Sequence, residues 1–282
     1  MGLQHFLVNA LRRATGYYAL DARLSRIESI LARIAASIDD HGQDIVSILL
    51  DGRPAGPGQI SITTDQPVAI YSDDHKFPRG TRDDNTRSPR FVFACERIFG
   101  RKVSHLDLGC AGGGLVWDFV LRGHQSYGVE GSDYSYLEQR AEWRIIPGNL
   151  FTADITKPFK MLRDGQTMTF DVITAWEVLE HIPENMIDGL LDNVIRHLAK
   201  GGRFVASIAT FEDKDPNTGA VWHVTLKPAG WWHARFEAKG LKLENDLFNP
   251  RDYVRGSGNP RAWDWDASAS PEMGFHIVYK MP

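Results

Sequence analysis

The chain has 282 residues, 43% of them hydrophobic, and a formal net charge of −4. That length can bury one full α/β core with additions, and the slightly acidic balance argues against the broad basic surface of a nucleic-acid-binding domain. Its two cysteines, Cys95 and Cys110, lie inside apolar stretches; they exclude a disulfide framework and read as buried thiols of a cytoplasmic protein.

The chain divides by pattern into 1–41, 42–75 and 76–282. In the first part Leu20, Leu24, Ile27, Leu31, Ile34 and Ile38 alternate spacings of four and three, the seam of a short coiled coil on an amphipathic helix. That helix is expected over roughly 3–38, where Arg12, Arg13, Arg23, Arg26 and Arg33 stand against only Asp21 and Glu28, so homo-oligomerisation or packing on its own domain competes with contact at a membrane surface, and is preferred. Arg12 and Arg13 interrupt the early apolar run, so no secretory signal is expected, and no stretch is apolar for long enough to span a bilayer. Residues 42–75 change period. Short β-like runs at 45–50, 60–63 and 68–71 flank the turn-rich 51–58 and predict a small β appendage.

From residue 76 strands and helices alternate. Ser88 and Pro89 start a helix that ends at Gly100. Strands are expected at 103–108, 126–130, 149–153, 170–176, 203–208, 243–248 and 274–280. Helices are expected at 113–122, at 183–198 with a stop at Gly201, and at 228–238 before Gly240. This alternation predicts a Rossmann-like, seven-stranded, mostly parallel sheet with helices on both faces. No helix separates the last two strands, so the final one is expected to return antiparallel.

Leu106-Asp107-Leu108-Gly109-Cys110-Ala111-Gly112-Gly113-Gly114 follows a strand and opens a helix. Small residues there permit a sharp turn and close ligand approach, and the helix N-terminus offers free N–H groups. Gly109, Ala111 and Gly114 also fit a relaxed dinucleotide fingerprint. Glu130 ends the next strand about twenty residues on, where a carboxylate accepts from both ribose hydroxyls. These two signals suit adenosine in either a nicotinamide or a methionine-derived cofactor.

Three segments in order resemble the class I S-adenosylmethionine-dependent methyltransferases: residues 106–115, Phe151-Thr152-Ala153-Asp154-Ile155, and Phe170-Asp171-Val172-Ile173-Thr174-Ala175-Trp176-Glu177-Val178-Leu179-Glu180-His181-Ile182. The resemblance covers roughly 76–282. It departs from the usual pattern at Ala111, which stands at the second glycine position. It implies S-adenosyl-L-methionine as cofactor, with Asp107 under the methionine amino group and Gly109, Ala111 and Gly113 along the cofactor. It further implies Glu130, beside Gly131, at the ribose, Asp154 at the adenine amino group, Ile155 on the ring, and Trp176 and Glu177 at the methyl end. The chain is also similar to methyltransferases of bacterial surface-polysaccharide or sugar biosynthesis. The rival readings are an NAD-dependent oxidoreductase, which leaves Asp107, Asp154 and 176–182 without a role, and a non-catalytic scaffold of the same fold.

Methyl transfer to an alcohol needs proton removal at or near transfer. His223, in the long segment after the fifth strand, is the preferred base candidate; His181 and Glu177 are the others. The long loops 212–227 and 249–272, the latter with aromatic residues among arginines, suit a sugar, sugar-nucleotide or glycan acceptor, and the 77–86 segment is expected to form the opposite wall. No metal-ligand spacing is evident, and no metal is expected.

Overall fold

A computed structural model describes residues 59–249 and 273–282, all within the compact unit Pro57–Pro282. The helix expected in 3–38, the runs of 45–58 and the arginine-rich stretch of 250–272 lie outside the described residues.

The main sheet is built from β2 (Ser104–Leu108), β3 (Gln125–Glu130), β4 (Leu150–Thr152), β7 (Phe170–Trp176), β8 (Leu198–Ala209), β9 (Lys242–Leu243) and β10 (Gly274–Lys280). Their order is β4-β3-β2-β7-β8-β10-β9. The strands from β4 to β8 are parallel, while β10 runs antiparallel to both β8 and β9. This is the Rossmann-like arrangement expected from the alternation. The central strands carry near-continuous apolar runs because both faces of a parallel sheet are covered.

One face buries Leu106, Val129, Ile173, Phe204 and Ile277 against α7 (Ile187–His197) and α8 (Ala229–Ala238). The other buries Val172, Val205 and Val278 against α3 (Pro89–Phe99) and α4 (Gly114–Leu121). Pro89 opens α3, and Gly100, at φ +65°, closes it in the left-handed conformation.

Several boundaries differ from the sequence expectation. The helix expected at 183–198 ends at His197, within one residue, but Gly201 is not its stop, since it lies inside β8. His197 Nδ1 bonds the Asn193 carbonyl at 2.8 Å and its Nε2 accepts from Met161 N–H at 3.1 Å, and Leu198 enters β8 directly. The strand expected at 243–248 stops at Leu243 and is followed by a 3-10 turn, Asn245–Leu247. Residues 68–71 form no strand; Ala69 N–H donates to the Gly131 carbonyl instead (2.8 Å).

A hairpin absent from the expectation, β5 (Phe159–Arg163) and β6 (Gln166–Thr167), turns at Asp164-Gly165, where both residues have positive φ. It pairs antiparallel with β1 (Ile60–Thr64), so 60–64 belongs to a three-stranded sheet of this same unit. Among the described residues no helix is long and apolar enough to cross a membrane.

Candidate functional site

The carboxyl ends of the parallel strands open onto a cavity of about 480 Å³, the edge at which such sheets bind ligands. Asp107, Gly109, Ala111, Glu130, Gly131, Asp154, Ile155, Trp176, Glu177, His181 and His223 all line it. Gly113 is the exception among the expected residues. At φ +90° it precedes α4, and a side chain there would strike Leu150 and Glu142. It serves helix–strand packing rather than the cavity wall.

The turn after β2 alternates left-handed residues, with Gly109 at φ +74° and Ala111 at φ +44°. Gly109 is required twice over, because a Cβ would also stand 2.5 Å from Val178. Ala111 tolerates its strained backbone because both of its ends are fastened. Its N–H donates to Glu130 Oε2 (2.7 Å), and its carbonyl accepts from the Trp143 indole (2.8 Å). The amides were expected to be free. Most are committed: Gly109 N–H to the Val129 carbonyl (2.8 Å), Ala111 N–H to Glu130, Gly113 N–H to the Cys110 carbonyl (2.7 Å) and Gly114 N–H to Asn85 Oδ1 (2.8 Å), because the turn is tied both to itself and to neighbouring segments.

Asp107 is buried, and burial pushes its carboxyl up to about 7. It ends a relay through the sheet. Thr174 O–H donates to Asp107 Oδ1 (2.6 Å), His105 Nε2 bonds Thr174 (2.8 Å) and His105 Nδ1 bonds Ser126 (2.7 Å). Thr174 spends its single proton on Asp107, so it accepts from His105 Nε2–H, which leaves Nδ1 to accept from Ser126. Burial holds His105 well below its usual range, in keeping with this neutral form. Thr174→Val strands His105 Nε2–H and one oxygen of Asp107, so it is expected to lower stability by about 1–3 kcal/mol in urea unfolding.

Glu130 is likewise raised by burial, although Ser132 and Ala111 N–H groups bond its two oxygens. Asp154 Oδ1 accepts from Thr156 N–H (2.9 Å), Thr156 O–H (2.7 Å) and Tyr71 O–H (3.3 Å). Trp176 lines the cavity and packs edge-on against Phe91 in the core, with centroids 5.2 Å apart.

Past β7 the chain turns sharply at Glu177, a non-glycine at φ +53° whose N–H is held by the Ser207 carbonyl at 3.1 Å. Strain of this kind persists where surrounding contacts over-determine it, and it clusters at functional sites. The turn presents Glu180, fully buried, and His181. Val224 and Thr225 N–H both donate to the Glu180 carbonyl, at 2.8 and 2.9 Å. That clasp brings His223 beside His181, with ring centroids 4.9 Å apart.

His223 Nδ1–H donates to the Phe211 carbonyl (2.7 Å). Burial, then neighbouring His181, lowers its pKa, so its Nε2 is a neutral lone pair. Burial also pulls on His181, but Asp74, with its carboxylate 3.0 Å from Nδ1, and then Glu180 and Glu177 outweigh it and raise the imidazole to about 9. Burial, followed by the charge of Glu177, lifts Glu180 to about 8.

The opposite wall comes from the 77–86 segment, as expected, and from α1 (Asp73–Lys76) before it. Arg79 stacks over Trp222 at 3.8 Å and pairs with Asp213; Val221 N–H donates to Asp73 (3.1 Å). Sequence reasoning missed Tyr71, Asp74 and Glu180 as contributors. Ser72 capping Asp74 N–H (3.1 Å) was the available signal for α1.

Residues 26–249 match the family model described as a methyltransferase domain. A ubiquinone biosynthesis O-methyltransferase from Idiomarina loihiensis is 36% identical over 87 residues, 31% of this chain and 34% of that protein. A namesake from Methylococcus capsulatus is 33% identical over 95 residues, 34% of this chain and 38% of that one. The chain thus spans about a third of the length of these curated relatives. A solved TehB-like SAM-dependent methyltransferase from Corynebacterium glutamicum is 19% identical, with 73% of this chain and 95% of that one covered and a TM-score of 0.47. With the family model matching well over half of its length, the chain belongs to the methyltransferase-domain family.

Proposed function

We propose that the protein transfers a methyl group from S-adenosylmethionine to a hydroxyl oxygen of a small polar acceptor: a sugar, sugar nucleotide or glycan. The observation that carries this reading is the row of carboxylates Asp107, Glu130 and Asp154. They stand at or just past the ends of adjacent parallel strands, on one cavity with Glu177, His181 and His223. The donor set fits, since three acceptors meet a cofactor that presents an ammonium group, ribose hydroxyls and an adenine amino group.

When bound, the cofactor supplies a methyl group already activated on a sulfonium. Asp107 holds the ammonium, Glu130 with Gly131 holds the ribose, and Asp154 accepts from the adenine, with Ile155 against the ring. Trp176 offers an aromatic face to positive charge. Glu177, His181 and His223 meet the acceptor, and His223 is assigned to activating its hydroxyl. Holding the reacting atoms in line can contribute roughly 7–11 kcal/mol, so most of the wall serves alignment.

The polar wall of Arg79, Asp83, Asp84 and Asp213 around the Trp222 plate supports a polyhydroxylated acceptor. A phenolic acceptor is the second reading, favoured by the curated relatives named for ubiquinone biosynthesis. Incubation with methyl-labelled cofactor and a panel of sugars, sugar nucleotides, glycans and phenols separates them. Label on a sugar oxygen is expected, label on phenols alone moves the acceptor to the second reading, and no labelled oxygen in any acceptor contradicts both.

Asp107 also sets a pH dependence. Its carboxyl, near 7 in the free protein, must be ionised to hold an ammonium. Cofactor affinity is therefore close to full from about pH 8 upward, half lost near pH 7, and falls by up to about tenfold per unit below it. Titrations between pH 5.5 and 8.5 check this, and Asp107→Asn is expected to flatten the profile.

A further inference from the structure

We propose that Glu180, His181 and His223 form a binding site for one divalent transition-metal ion, beside the position assigned to the acceptor hydroxyl. One ligand atom from each lies within 4.8 Å of the others, and small side-chain rotations bring such a trio onto one ion, whose bonds to nitrogen and oxygen are about 2.0–2.2 Å.

Proximity alone does not make a metal site. The second observation is how the remaining atoms are engaged. His181 turns Nδ1 to the Asp74 carboxylate at 3.0 Å, and His223 turns Nδ1 to the Phe211 carbonyl at 2.7 Å. Carboxylates and backbone carbonyls at the second ring nitrogen are the supports that orient metal-binding imidazoles and direct Nε2 to the ion. Glu180 completes the pattern. Its Oε1 accepts from Ala209 N–H (2.9 Å), while its Oε2, in a side chain buried among the described residues, has no hydrogen-bond partner among them. A buried carboxylate oxygen without a donor is costly unless something positive meets it.

Two imidazoles and a carboxylate suit an ion such as Zn²⁺, Fe²⁺ or Co²⁺ better than Mg²⁺, which prefers oxygen. The ligands come from both sides of the clasp between the turn after β7 and the segment carrying His223, so the site depends on that clasp.

The chemical role rests on the O-methyl-transfer reading. The cation polarises the acceptor hydroxyl and lowers its pKa, and the proton leaves to solvent. The oxygen takes the methyl group as the carbon–sulfur bond breaks with its electron pair remaining on sulfur. His223 then activates the hydroxyl as a ligand rather than by taking the proton itself.

The test needs no turnover. The full chain, freed of metal with a chelator, is titrated with Co²⁺ while its visible ligand-field absorption is followed, and Zn²⁺ is then added. The expected result is a band that saturates at one equivalent and is displaced by one equivalent of Zn²⁺. His223→Ala and Glu180→Gln are expected to weaken binding at least tenfold. Asp74→Asn, which leaves all three ligands in place, is expected to weaken it about 10–100-fold. Circular dichroism of the metal-free variants verifies that they fold. Absence of a saturable band in the wild-type chain, or a band unaltered in all three folded variants, overturns the proposal. A parallel S-adenosylmethionine titration keeps the readings apart: ion binding without cofactor binding contradicts the methyl-transfer reading alone, and cofactor binding without ion binding contradicts the cation site alone.

Discussion

Replacing His223 by alanine is expected to lower turnover by about 100-fold or more while the cofactor dissociation constant stays within about threefold of the original. The separation follows from position. His223 lines the cavity beside His181, which lies past the end of β7, while the cofactor is assigned to Asp107, Glu130 and Asp154. Its Nδ1 is taken by the Phe211 carbonyl, which leaves Nε2 to face the acceptor. Activation of a protonated nucleophile contributes about 10²–10⁴-fold, whether Nε2 takes the proton or holds an ion that drives it off. Single-turnover rates with isothermal titration of the cofactor check both halves. Unchanged turnover would remove His223 from the chemistry. A large loss of cofactor affinity would show that its clasp to Glu180 shapes the whole cavity.

Glu130→Ala is expected to have the opposite signature, weakening cofactor binding by about 100-fold. Glu130 does two things at once: its oxygens bond the Ala111 and Ser132 N–H groups and face the cavity. Its removal takes away the acceptors assigned to the ribose and leaves buried amide donors unpaired, at about 1–3 kcal/mol for each unsatisfied group. Ala111 would also lose one of the two contacts that hold its left-handed backbone. Glu130→Gln keeps one acceptor oxygen and is expected to recover part of the affinity. Equal losses in the two variants would assign the whole effect to charge, and no loss in either would remove the ribose role.

The acids of the half of the cavity assigned to the cofactor were legible because each stands at or next to the carboxyl end of a strand. Asp107 is the penultimate residue of β2, Glu130 the last of β3, and Asp154 lies two residues past β4, and a parallel sheet delivers such positions to one edge whatever its loops do. The acceptor half was less so. Asp74, Tyr71 and Arg79 come from short helices and turns before the main sheet, and long-range contacts bring them to the cavity: Tyr71 to Asp154, Asp74 to His181, and Arg79 to Trp222. Glu180 sits in the quoted 170–182 run, but nothing in the spacing tells that its side chain is buried beside His223, forty-three positions on.

Other misreadings have local causes. Gly201 is indeed left-handed, at φ +73°, but it lies inside a strand, because the backbone turns extended at Leu198, whose N–H bonds the Val194 carbonyl as the helix closes, and β8 starts there. The Asp164-Gly165 hairpin carried one of the clearest turn signals in the chain. Its flanking runs are short, and its partner, 60–64, lies about a hundred residues upstream, a distance over which pattern carries no information.

The central claim is that the row of carboxylates holds S-adenosylmethionine. Isothermal titration of the protein with S-adenosylmethionine, S-adenosylhomocysteine and NAD in parallel tests it most directly. Binding of the first two, weakened in Glu130→Ala and Asp154→Ala, with no heat from NAD, is the predicted result. Binding of NAD alone would contradict it and return the glycine turn and Glu130 to a dinucleotide.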